Sequence, residues 1–400
     1  MHQLFYSNVN DAGCHKKILA TIVTFCLGMK KTLLYIIDSL ERGGAEVMLV
    51  STLKDIYVHY NIVLVTLHPQ IAFDNNDLAY DQKFCLDFKG KKDIFRCAGK
   101  LKEIVKNTNV DIVHSTLFWS VIIARLGCNK KKIPHVFSLA TVMSSGVYKH
   151  KWYSGYTKFL DRLTYRKNQC VVSPTKKVLE DFDKTMGVKG KNKVLPNFVN
   201  KEFFGNRIVY PHAITQLKLV AVGNLKSVKN YQLLIDAFKS LKSFDVSIDI
   251  YGEGPDRTSL EKQIREFDLP INLKGLNEKI YDVLPLYNGF VMCSFIEGFG
   301  ISAAEAMAIG LPLLLSDITP LREVSQSNAL FFDPYDPESF TRLVIDIINN
   351  KKDLKALSAN GKKIAKENYI KDKYIKNLLD LYDEMLYDKE VIKGGTNLLN

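Results

Sequence analysis

The sequence predicts an α/β protein built from two doubly wound domains in series. Three observations lead there. Short apolar runs alternate with amphipathic stretches along most of the chain, the pattern of parallel strands covered by helices. The alternation stops near residue 195 and restarts near 217. At 400 residues the chain is also too long for one compact core.

Taken in order, TLLYII (32–37), NIVLVTL (61–67), DIVHS (111–115), HVFSL (135–139) and QCVVS (169–173) read as buried strands. Between them, DIFRCAGKLKEIVKNT (93–108) places apolar residues at 94, 97, 98, 101, 104 and 105, one face of a helix. The stretch 195–215 contains Pro196, Gly205 and Pro211 and no sustained period, so it reads as a break. Beyond it come LKLVAVG (217–223), a helix over 229–242, VSIDIYG (246–252), INLKG (271–275), GFVMCS (289–294), LPLLLSD (311–317) and ALFF (329–332). Helices over 336–350, 353–366 and 371–388 finish the pattern. The expected divisions are an extension at 1–28, a first domain at 29–205, a linker at 206–215 and a second domain at 216–370. The last helix, 371–400, is expected to pack back toward the first domain. Ligands of such sheets sit at the carboxyl ends of the strands, so two sheets facing one cleft suit a two-part substrate.

Composition narrows the class. The chain is 46% hydrophobic and 24% charged, which fits a soluble globular protein and excludes disorder. Seven scattered cysteines with no C-x-x-C argue for a reducing compartment and against a disulfide framework or structural zinc. The net charge of +12 sits in the first half, and residues 101–200 alone hold 18 Lys and Arg against 6 Asp and Glu. Such a half meets a negative surface; without a nucleic-acid-binding motif, an anionic membrane leaflet or phosphorylated lipid is the expected partner and nucleic acid is not. The apolar run Ile18–Met29 is too short to span a bilayer and reads as an upstream extension or interfacial anchor, with a cleaved signal as the alternative.

The chemistry concentrates in SFIEGFGISAAEAMAIGLPLLLSD, Ser294–Asp317. GFVMCS is a strand and AAEAMAIG a helix stopped by Gly310, so IEGFG is a strand-to-helix loop at the sheet's carboxyl edge. Gly298 and Gly300 let backbone N–H groups approach a ligand, and the helix starting near Ile301 adds its positive end, a place for phosphate. Glu297 precedes the helix and Glu305 lies one turn inside it. Carboxylates reject phosphate but accept hydrogen bonds from sugar hydroxyls. A diphosphate with a sugar at each end is a nucleotide sugar. Glu305 within AAEAMA is an acid in the composition of a buried helix, where a lone charge is costly.

EGFG followed by EAMAIGLP resembles the E-x7-E signature of the retaining glycosyltransferases of family 4, which have the GT-B fold. The resemblance extends over nearly the whole chain after Lys31, through DSLERGGAE (38–46), DIVHSTLFWS (111–120), LPNFV (195–199), VGNLKSVKN (222–230) and YGEGP (251–255). It implies that Glu297 contacts the donor sugar's hydroxyls and Glu305 the ribose. It implies that Gly298, Phe299, Gly300 and Ile301 supply N–H groups, and that Lys229 neutralises the departing diphosphate. Gly43 and Gly44 match a glycine loop that closes over the donor, and Gly252, Glu253 and Gly254 a turn beside the nucleoside. Three positions depart from the family. Asn224 stands where an arginine is usual, Ala140 lies near the usual place of an acceptor-side histidine, and Phe198 replaces the glycine of P-N-G.

Other candidates have plainer readings. His114 ends a strand and reads as a satisfied core histidine. Asp181-Phe-Asp183 lies in a helical pattern and reads as a solvated face, so no catalytic metal or other cofactor is expected. The stretch 147–167 interleaves lysine and arginine with Trp152, Phe159 and several tyrosines, a surface suited to anionic headgroups. The expected activity is metal-independent, retaining transfer of a hexose from a UDP- or GDP-sugar to a hydroxyl of a lipid-linked or cell-surface glycan precursor, in polysaccharide biosynthesis. The enzyme would lie peripherally on the inner face of the cytoplasmic membrane. Alternatives are a nucleotide-sugar epimerase, a phosphorylase or an inactive nucleotide-sugar-binding protein, the last supported by Asn224.

Overall fold

A computed structural model describes residues 30–41, 43–128, 133–144, 151–205 and 216–396. The expected extension at 1–28, the linker at 206–215 and Lys149 of the basic stretch lie outside the described residues.

The first half forms β1 (Thr32–Ile37), α1 (Gly44–Tyr57), β2 (Asn61–Thr66), β3 (Gln82–Cys85), α2 (Ile94–Asn107), β4 (Ile112–Thr116), α3 (Phe118–Cys128), β5 (His135–Ser138), α4 (Lys151–Thr164), β6 (Gln169–Ser173), α5 (Lys176–Met186) and β7 (Asn192–Val194). Its strands make one parallel sheet in the order β3-β2-β1-β4-β5-β6-β7. Continuous apolar runs place side chains on both faces. Leu34, Ile36, Val63 and Val65 meet α2 and α3, while Leu33, Tyr35 and Leu64 meet α1 and the chain's last helix.

The second half forms β8 (Leu217–Val222), α6 (Tyr231–Ser240), β9 (Val246–Tyr251), α7 (Arg257–Glu266), β10 (Ile271–Gly275), α8 (Ile280–Val283), β11 (Gly289–Met292), α9 (Ile301–Ile309), β12 (Leu313–Ser316), α10 (Thr319–Ser325), β13 (Leu330–Phe332), α11 (Pro337–Ile348), α12 (Leu354–Asn368) and α13 (Lys371–Thr396). Its parallel sheet runs β10-β9-β8-β11-β12-β13. α6 and α11 cover one face, and α9 and α12 contribute to the core on the other. α13 then crosses to the first sheet, where Leu378, Leu381, Tyr382, Met385 and Leu386 join the core against Leu33, Tyr35 and Leu53.

Strand order reverses direction in both sheets, between β1 and β4 in the first and between β8 and β11 in the second. At such a switch point the flanking loops splay apart and leave a crevice at the carboxyl edge. Each domain thus brings one crevice to the cleft between them.

Candidate functional site

The cleft holds a cavity of about 550 Å3 lined from both domains. The first domain supplies Gly43, Gly44 and Glu46 at the start of α1, with His114, Ser138 and Ala140 from the ends of β4 and β5. The second supplies Asn224 after β8, Lys229, the loop Glu297–Gly300, and Ile301, Ser302 and Glu305 on α9. Gly44 reaches across the gap, since a Cβ there would lie 3.4 Å from the Ile301 Cδ1.

α9 sets this geometry. Gly300 is its N-cap at φ +84°, a left-handed conformation that a side chain resists, and a Cβ there would lie 2.7 Å from Leu321 Cδ2. Gly310 closes the helix at φ +96°, its N–H bonded to the carbonyls of Ala306 and Met307. Ala303, Ala304, Ala306, Met307, Ala308 and Ile309 are buried, and each side chain as large as Met307 contributes about 2 kcal/mol by leaving water. The helix is therefore fixed on the sheet with its N-terminal N–H groups, which no side chain caps, at the cavity.

The polar groups converge on Glu297. Lys229 Nζ donates to its Oε1 at 2.6 Å, and Ser294 Oγ donates to the same oxygen at 2.7 Å. Lys229 ends a 3₁₀ turn, Ser227–Lys229, and precedes α6; the expected helix over 229–242 is shorter, Tyr231–Ser240, because Asn230 takes a left-handed conformation between them. Glu305 is half-buried among fully buried neighbours, and burial pushes its carboxyl up to about 8. Ser302 Oγ donates to Val222 O at 3.0 Å and ties α9 to the end of β8.

Gly252, Glu253 and Gly254 are not part of this lining. The two glycines serve a close approach of loops: a Cβ at Gly252 would meet Gly223 O at 2.0 Å, and one at Gly254 would meet Leu225 O at 2.3 Å. Glu253 accepts from Arg257 at 2.8 Å. Phe299 is buried, stacked edge-on against Tyr369 with ring centroids 5.3 Å apart, so its backbone rather than its ring is at the loop's disposal.

His114 is a satisfied core histidine that also borders the cavity. Its Nδ1 and Nε2 meet Tyr382 Oη at 2.5 Å and Ser138 Oγ at 2.8 Å, and burial holds it down at about 3, hence neutral. Asp183 is exposed and Asp181 half-buried on α5, as a solvated face requires. Asp181 accepts from the N–H groups of Met143 and Ser144, and Asp183 from that of Val188, so both satisfy loop backbone. Phe198, in place of the glycine of P-N-G, is buried with its ring centroid 5.1 Å from that of Tyr374. Sequence reasoning missed Ser294, Ser302, Ser138 and Glu46. Ser294 and Ser302 stand three residues before Glu297 and Glu305 in the quoted segment, and Glu46 ends DSLERGGAE, while Ser138 carried no signal. Among the described residues no group of three His, Cys, Asp or Glu side chains is placed to hold a metal ion.

Two facing parallel-sheet domains with a cation, a helix N-terminus and carboxylates in the cleft define a GT-B glycosyltransferase. The family model for group 1 glycosyl transferases matches residues 206–364 and the model for glycosyltransferase family 4 matches residues 28–203, so the chain belongs to this glycosyltransferase family. It is 25% identical over 353 residues to an uncharacterized glycosyltransferase of Methanocaldococcus jannaschii, covering 84% of this chain and 92% of the relative. It is 25% identical over 293 residues to the N-acetylgalactosamine-N,N'-diacetylbacillosaminyl-diphospho-undecaprenol 4-alpha-N-acetylgalactosaminyltransferase of Campylobacter jejuni, covering 70% of this chain and 79% of that one. Its fold is similar to sucrose-phosphate synthase from Thermosynechococcus elongatus, with a TM-score of 0.74 at 14% identity over 90% of this chain and 100% of that one. HepE of Anabaena, solved in complex with UDP, has a TM-score of 0.73 at 15% identity over 88% of this chain and 100% of that one.

Proposed function

We propose that the protein transfers a hexosyl group from a UDP- or GDP-sugar to a hydroxyl of a lipid-linked or cell-surface glycan precursor, with retention at the anomeric carbon and without a metal ion. The observation that carries this reading is the Lys229–Glu297 pair beside the N-terminus of α9, in a cavity walled by both domains. Lys229 and the α9 N–H groups stabilise the diphosphate as the bond from sugar to phosphate oxygen breaks. Glu297, oriented by Ser294, accepts from the donor sugar's hydroxyls, and Glu305 from the ribose. The acceptor oxygen attacks from the face the diphosphate leaves, and its proton passes to the leaving phosphate oxygen. Asn224 carries no charge, so the positive side chain in the cavity's second-domain wall is Lys229.

The name of the Campylobacter relative supports a lipid-diphosphate-linked acceptor, and UDP in HepE supports a nucleotide donor. The surface offers a matching feature. Tyr156, Phe159 and Leu163 lie at i, i+3 and i+7 on α4 and are 41%, 62% and 62% exposed, with Lys91 Nζ 5.6 Å from the Tyr156 ring. An apolar stripe beside cations suits an anionic bilayer interface. No helix among the described residues is long and apolar enough to cross a membrane, so attachment would be peripheral, at the inner face of the cytoplasmic membrane.

The test is a thermal-shift screen with UDP-, GDP- and ADP-sugars, then transfer with the donor that protects and proton NMR of the product anomer. Glu297→Ala should retain nucleoside diphosphate binding while turnover falls by ~10²-fold or more, the loss of a positioning contact. Turnover near wild type would remove Glu297 from the reaction.

A further inference from the structure

The donor loop is gripped from the opposite domain. Thr175, immediately before α5 in the first domain, is 3% exposed, and its Oγ1 lies 3.0 Å from the carbonyl oxygen of Gly298 in the second. The same oxygen accepts from Val178 N–H at 3.3 Å as the N-cap of α5. An accepted N–H leaves the hydroxyl proton free for one bond, and the Gly298 carbonyl receives it. Gly298 permits the contact because it has no side chain: a Cβ there would lie 2.0 Å from Ala140 O, also in the first domain.

A second contact holds this hydroxyl in place. Glu323 on α10 spans the boundary with both carboxylate oxygens, Oε2 accepting from Lys176 N–H at 2.8 Å and Oε1 from Lys177 N–H at 2.9 Å. These are first-turn amides of α5, which otherwise have no intrahelical partner, and a carboxylate there also meets the helix's positive end. The neighbouring Arg322 is paired with Asp317 through two bonds of 2.5 and 2.7 Å, so its charge is engaged elsewhere.

We infer that Thr175 and Glu323 are positioning residues for the donor loop, a clasp by which the first domain fixes the backbone of Gly298–Gly300 at the α9 N-terminus. The consequence for donor binding rests on the proposed function, but the clasp itself does not. Glu323 fixes the start of α5, α5 fixes Thr175, and Thr175 fixes the Gly298 carbonyl. The loop's N–H groups are then aimed only while the cleft is closed.

Hydrogen exchange of the unliganded protein tests the clasp without assuming any ligand. Thr175→Val and Glu323→Ala should each raise exchange of the segment 296–301 by at least about tenfold, the loss of one or two strong hydrogen bonds. Thr175→Ser should restore it, and the amides of β8 and β12 should stay as in wild type. Glu323→Gln, which keeps one acceptor oxygen, should fall between and serves if the alanine variant folds poorly. A lowered melting temperature with wild-type exchange at 296–301 would mean a packing contact alone and overturn the inference, as would failure of Thr175→Ser to restore exchange. In parallel, UDP affinity should weaken at least severalfold in Thr175→Val. Absence of both UDP and GDP binding in the wild type would count against the donor reading and leave the exchange result standing.

Discussion

Glu305 should make the ligand-free protein less stable as pH rises, and replacing it with glutamine should remove that dependence. Burial raises its carboxyl from the ordinary 4.5 to about 8. In the unfolded chain Glu305 loses its proton near 4.5; in the folded chain it keeps it until about 8. The folded state therefore binds more protons between these values, so stability declines from about pH 4.5 to about pH 8 and is level above. At about 1.4 kcal/mol for each tenfold change in proton affinity, the ceiling is about 5 kcal/mol. Part of the carboxyl meets the cleft, and solvent screening brings the expected figure to ~2 kcal/mol. For a domain of this size that is a melting-temperature change of about 5 °C. The assay is thermal unfolding of wild type and Glu305→Gln from pH 5 to pH 9, reading the difference so that other titrating groups cancel. The variant's advantage should grow by about 5 °C as pH rises from 5, with all of that growth complete below pH 8, and stay flat above it. A difference that does not change with pH would refute the argument, because Glu305 would then titrate alike in both states.

Three further outcomes are expected. Lys229→Ala should weaken nucleoside diphosphate binding severalfold while leaving the free nucleoside's affinity unchanged, by calorimetry; equal losses would place Lys229 away from the phosphates. Transfer should persist in excess EDTA, since Lys229 and the α9 N-terminus take the part of a cation; loss of activity restored by Mg²⁺ or Mn²⁺ would defeat the metal-free mechanism. The protein should co-sediment with anionic but not zwitterionic liposomes and release as salt rises, because the Debye length shrinks. Substituting Lys158 and Arg162 with serine and Phe159 with alanine should release it while sparing donor binding, and a wild type that ignores anionic liposomes at low salt would leave α4 as a solvated face.

How much the sequence disclosed depended on burial. Strands sunk under helices on both faces, such as β1 and β2, write unbroken apolar runs, and β4 and β8 write shorter ones interrupted at His114 and Lys218; all four were legible to within a residue. β3 (QKFC) and β7 (NKV) are edge strands of four and three residues with one face toward solvent, so no apolar run marks them. α10 is a seven-residue helix whose caps are backbone geometry rather than side chains, and it left no periodic trace. The site divides the same way. EGFG and AAEAMAIG are contiguous, so the loop, its helix and both glutamates stood together in one string. Thr175 lies 123 residues from Gly298, and Glu323 lies 147 and 146 residues from Lys176 and Lys177, so only the packing of one domain on the other joins them. Local sequence has no means of recording such a contact.

The return of α13 to the first sheet has a bearing on how the chain is made. A ribosome completes β1 through β7 long before it reaches Leu378, so the sheet face carrying Leu33, Tyr35 and Leu64 emerges without the cover that Leu381, Tyr382 and Leu386 later provide. Tyr60 and His114 likewise wait for Asp383 and Tyr382 to supply their hydrogen-bond partners. The domain translated first is finished last, and a nascent chain stalled anywhere in the second domain displays an apolar strip for chaperones to hold.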